Sequence, residues 1–130
     1  MPATTILANA LLNHLCGKSA FAMPSSLWLA LFTDAPSAAG GGTEAAFTGY
    51  ARVELAGEDW EAPDGGAVVN AGPIEFPVAE SGPTIITHWG LFTAATGGQL
   101  LEFGPLTASA TIAAGAALRF PAGELSREID

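Results

Sequence analysis

Any chemistry in this chain must come from two histidines, one cysteine and thirteen carboxylates. His14 and Cys16 come closest to a nucleophile with its base. On a helix, residues two apart point about 200° away from each other, whereas a thiolate and its imidazole must meet at hydrogen-bond distance. A helix histidine beside a small packed thiol is the plainer reading. His88 precedes Trp89 in a β-like run, so the two rings face opposite sides, and the histidine is expected to be hydrogen-bonded within a sheet. The segment Glu58-Asp59-Trp60-Glu61-Ala62-Pro63-Asp64-Gly65 gathers hard oxygen donors of the kind that hold Ca²⁺. Its spacing is not that of a D-x-[DN]-x-[DN]-G loop, Pro63 stiffens it, and a solvated acidic loop is the simpler assignment. No H-x-H, H-E-x-x-H, G-x-S-x-G or phosphate-binding pattern occurs. The sequence predicts no catalytic residue, no cofactor and no metal site.

Architecture is more legible. The run Thr84 to Thr93 is β-branched and aromatic, and the turn Ala94 to Gly98 sends the chain back through Gln99 to Phe103. The tripeptide Leu31-Phe32-Thr33, inside the run Leu27 to Thr33, recurs as Leu91-Phe92-Thr93. Both runs are apolar on both faces, which suits strands in the middle of a sheet covered on each side. Leu31, Phe32, Leu91 and Phe92 are expected to be almost fully buried. Thr4 to Cys16 reads as the one helix, with Leu7, Leu11 and Leu15 as its stripe, Thr4 as N-cap and Gly17 as the left-handed stop.

The remaining segments are short. Tyr50 to Leu55 alternates, with Ala51, Val53 and Leu55 inward. Ala67 to Asn70 and Ile74 to Val78 follow, the latter with Ile74, Phe76 and Val78 inward and Pro77 marking an edge or bulge. Gly104-Pro105 is expected to end a strand. Ser109 to Ala113 and Ala116 to Phe120 read as a weak hairpin, and Leu125, Arg127 and Ile129 as a last strand. Asp34 to Thr48, with Gly40-Gly41-Gly42, reads as a long loop without a core of its own, either a mobile arm or a contact loop. About eight short strands and one helix predict a single mainly β domain over 1–130, a two-sheet antiparallel sandwich with Greek-key or jelly-roll connections.

Charge excludes some partners. Thirteen acidic against four basic residues give a net charge of −9, the wrong sign for phosphate backbones or anionic membrane surfaces. One cysteine excludes an internal disulfide and points to synthesis in a reducing compartment. No basic n-region opens the sequence and no apolar run approaches the ~18 residues of a membrane span. Charged residues make only 13% of a chain that is 49% hydrophobic, which fits either an Ala- and Gly-rich proteome or a surface covered in large part by other subunits.

These residues carry a resemblance. Leu11 to Gly17 with Leu27 to Pro36, then Gly49 to Val53 with Ile74 to Pro77, then Thr87 to Leu101 with Gly104 to Leu106 and Leu118 to Gly123, resemble in order a family of small tailed-bacteriophage virion proteins labelled tail fibre or structural proteins. The resemblance spans nearly the whole chain and is most specific in Thr87 to Leu101. It implies a non-enzymatic virion part, made in the bacterial cytoplasm and seated on the capsid (decoration, cement or head-fibre base) or on the tail. The implied partners are major capsid or tail proteins; the low charge also predicts further copies of the chain, a trimer being favoured and a hexamer about a tail the alternative. Leu7, Leu11, Leu15, Gly41, Glu44 and Trp60 are the expected assembly contacts. The alternative is a carbohydrate-binding module in which Trp28, Trp60 or Trp89 and His88 present a sugar platform.

Overall fold

The computed structural model describes residues 3–128. Helix α1 (Thr5–Leu15) is followed by β1 (Ser26–Asp34), β2 (Thr43–Glu44), β3 (Val53–Ala56), a 3-10 turn (Gly57–Asp59), β4 (Ala67–Val69), β5 (Ile74–Glu75), β6 (Thr84–Phe92), β7 (Leu100–Ile112), β8 (Arg119–Phe120) and β9 (Ser126–Glu128). The protein is mainly β, and every strand pair is antiparallel.

The two runs apolar on both faces are neighbours at the centre of the main sheet. β1 pairs β6 with Leu29 opposite Leu91 and Leu31 opposite Trp89. β2 and β3 complete the sheet beyond opposite ends of β1, and β7 lies beyond β6. One face of this sheet carries Leu29, Leu31, Trp89 and Leu91 into the principal core. Two separate ribbons, β4–β9 and β5–β8, accompany the main sheet, and Ile74, Phe76, Phe120 and Leu125 join the same core. The sandwich thus has one continuous layer and one divided layer. The opposite face of the main sheet holds a smaller cluster of Ala30, Phe32 and Leu100, flanked by Phe92 and Phe103. Phe32 and Phe92 stack there at a centroid distance of 6.0 Å.

Close approach explains two glycines, Gly90 in β6 and Gly104 in β7. A Cβ on Gly90 would lie 2.7 Å from Phe32 Cε1 and 2.8 Å from Leu100 Cδ1, and one on Gly104 would lie 2.8 Å from Trp89 Cζ2. The aromatic rings occupy the space that side chains there would need.

Leu31, Phe32 and Leu91 are buried as expected, but Phe92 is only half-buried because it closes the smaller cluster. Gly104-Pro105 does not end β7. Pro105 pairs with His88, and since β6 is the only strand partner of β7 among the described residues, a residue without N–H is tolerated on its open side. The register then shifts between Ile86 and His88, which lets Ile86 and Trp89, three positions apart, share one core. The hairpin expected about Ala114-Gly115 does not form. Residues 110–112 pair with β6, while Phe76 N donates to Leu118 O and Ala79 N to Ala116 O. Ala79 rather than Val78 enters the core, Val78 being 53% exposed, and Ala51 is exposed. The Asp34–Thr48 segment does contribute to the core, through buried Ala45 and Phe47. Arg127 lies in β9 as expected, and Ile129 falls outside the described residues.

Candidate interaction surface

Helix α1 is fixed by its first turn. Thr4 is buried; its Oγ1 accepts from Leu7 N and lies 2.8 Å from Leu100 O and 3.1 Å from Leu101 O, while Thr4 N donates to Leu101 O. One side chain therefore caps the helix and ties it to β7. Leu7, one turn on, is the only buried helix residue. Beyond it the stripe leaves the body of the protein: Leu11 is half-buried and Leu15 is 80% exposed. Gly17, at φ +75, reverses the chain as expected. The exposed His14 accepts Phe21 N–H at Nδ1 over 3.1 Å, holding the returning connector against the helix end.

This return creates an apolar groove of about 370 Å³, lined by Leu7, Leu11, Phe21, Met23, Leu55 and Trp60. Glu102 and Arg127 also line it. They form a bidentate ion pair, with contacts of 2.6 and 2.8 Å, and the Glu102 side chain is only 7% exposed. The Arg127 guanidinium carbon lies 4.7 Å from the Trp60 ring centroid. Trp60 thus packs against the core and Arg127 while contributing to the groove wall.

Of the expected contacts, Leu7, Leu11 and Trp60 come together here. Leu15 stands farther along the helix, outside the groove lining. Gly41 lines a separate cavity with Ile6 and Phe92. Glu44 is held in a cluster of its own. Arg52 donates to both Glu44 oxygens at 2.8 Å and, through Nη1, to Ala94 O and Gly97 O at 2.8 Å. Tyr50 donates its hydroxyl to Glu44 and accepts Leu31 N–H. Burial pushes the Glu44 carboxyl up, but the Arg52 and Tyr50 hydrogen bonds and the Arg52 charge outweigh it, leaving it below its ordinary value. Burial and the bond to Glu44 push the Tyr50 phenol far up.

The residues weighed for chemistry are dispersed. Cys16 is exposed. His88 Nδ1 lies 2.8 Å from Thr87 Oγ1, within the sheet. Asp59 accepts Ala56 N–H and so closes the 3-10 turn. Among the described residues, no three of His, Cys, Asp and Glu gather as a metal-binding group. Trp89 is buried and Trp28 half-buried, so the three tryptophans form no common platform. No described helix is long and apolar enough to cross a membrane.

Two features were not anticipated from sequence. Asn70, 1% exposed, donates to Gly72 O and Pro121 O and accepts Leu125 N–H, joining the β4 end to the segment before β9. The Glu102–Arg127 pair was the other. Its only signal was scarcity: a chain with four basic residues places two of them in ion pairs.

The fold and surface define a β-rich protein with an open apolar groove. A family model described as podophage GP4 fiber I protein gp80 matches residues 2–128, and the chain belongs to that family. It is a structural protein of the phage virion, of fibre type. A comparison with curated proteins found no match.

Proposed function

We propose that the protein is a non-enzymatic accessory part of the podophage particle, seated on the capsid or tail and acting through assembly contacts. The observation that carries this reading is the helix fixed only at its first turn, with Leu12 58% and Leu15 80% exposed beside an apolar groove. Apolar side chains left open on a fixed scaffold are what an assembly interface requires. Copies meet as a trimer about a symmetry axis through the segment Gly104 to Leu118, which has no charged residue to oppose its own copy.

Gradient fractionation of disrupted virions tests the reading. The protein should remain with DNA-filled heads or with tails, and its absence from both would overturn it. The mass of the purified chain, measured by light scattering across concentration, tests the trimer.

A further inference from the structure

We infer that the groove receives an apolar segment flanked by Lys or Arg from a different virion protein, rather than a second copy of this chain. This rests on the assembly reading above and names the partner's chemistry.

The groove walls are apolar and remain open. Met23 is 91% exposed although it lines the groove, and Leu15, four residues beyond the lining residue Leu11, is 80% exposed. The volume of about 370 Å³ suits the side chains projecting from one face of a short amphipathic segment.

Charge selects among the segments that would fit. Glu58 and Glu61 are exposed beside the lining residues Gly57 and Trp60, and Glu54 is exposed beside Ser26, which also lines the groove. Glu54 is held at the rim, where its carboxylate accepts the Ser26 hydroxyl at 2.7 Å. The cation lining the groove, Arg127, is matched by Glu102. Lys18 stands beyond the helix end, and Arg119 lies in the β5–β8 ribbon. The rim is therefore negative around an apolar floor. A second copy would bring the same rim and a net charge of −9 against it, so like charges would oppose the contact. A segment with basic residues at its ends satisfies both rim and floor.

Two synthetic peptides test this against the full chain. They share one amphipathic Leu/Phe core and differ only in Lys or Glu flanks, and binding is read by fluorescence anisotropy of the labelled peptide. The Lys-flanked peptide should bind at least ~10-fold tighter, with the advantage shrinking from about 0.05 to about 0.5 M salt. The exposed double variant Glu58→Lys/Glu61→Lys should abolish the preference. Met23→Asp should weaken binding of the Lys-flanked peptide at least ~10-fold while leaving the thermal midpoint unchanged. Equal binding of the two peptides, no binding of either, or a preference that survives the charge reversal would overturn the inference. Dissociation of a homo-oligomer by Met23→Asp would instead make a second copy the occupant. If the peptides fail while the protein fractionates with heads or tails, only the groove inference falls. Absence from the particle defeats the assembly reading itself.

Discussion

The guanidinium carbon of Arg52 lies 3.6 Å from the centroid of the Phe92 ring. From that position the same side chain binds Glu44, Ala94 O and Gly97 O, so it joins β2 and the β6–β7 turn to the outer face of the main sheet. Arg52→Ala would leave Glu44 without its cation and both carbonyls without their donor. Its expected cost is ~2–4 kcal/mol in urea unfolding. Arg52→Lys should recover less than half of this, since an ammonium cannot reproduce the fork.

The same cluster sets a pH window. The folded Glu44 carboxyl titrates below its ordinary 4.5, so its contribution is fully present above that value and is lost as pH falls through the lower folded value. Tyr50 runs the other way. Its folded phenol is raised above the ordinary 10.0, so its contribution is fully present below that pH and is lost as pH rises through the folded value. Unfolding free energy measured against pH should fall at both ends. Glu44→Gln should flatten the acid limb and Tyr50→Phe the alkaline limb.

Gly90 and Gly104 make a sharper test of the packing of β6 and β7. Either glycine changed to Ala should cost ~1–3 kcal/mol, because the new methyl meets an aromatic ring on a buried backbone. Gly97→Ala would meet no nearby atom but would place Ala at φ +63, an effect of about 1 kcal/mol. Denaturant titration of the three variants should separate the crowded sites from the open turn.

Along the helix, the burial gradient predicts a gradient of cost. Leu7→Ala should destabilise by ~2–3 kcal/mol, whereas Leu15→Ala, already 80% exposed, should stay within about 0.5 kcal/mol. Equal costs at both positions would show that the whole stripe is packed in the isolated chain.

The central pair of strands was readable because Leu27–Thr33 and Thr84–Thr93 are apolar on both faces, and few environments tolerate that. The helix cap was readable from Thr4 and Gly17. What the sequence hid was pairing. Ala116–Phe120 has a tempting turn before it, yet its backbone pairs with the Ile74–Ala79 segment, since local turn chemistry does not reveal which distant edge is vacant. Helical periodicity likewise placed Leu7, Leu11 and Leu15 on one stripe without showing that only the first reaches the core. Trp60 stands among charges in sequence, but its packing on the core and on Arg127, from the far end of the chain, left no local trace.

The bond between Thr4 and the Leu100 carbonyl spans 96 residues, and the Asn70 bond to Leu125 spans 55. During translation at ~5–20 residues per second, α1 is made roughly 5–20 s before the strand that anchors it. For that interval Leu7 has no Leu101 region to bury against, and β1 waits roughly 3–12 s for β6 at the same rate. The ribosome therefore releases a chain whose sheet closes late, with its apolar strands open to solvent until then. Rapid synthesis of many copies during infection would make that interval, more than the stability of the finished domain, the point at which aggregation competes.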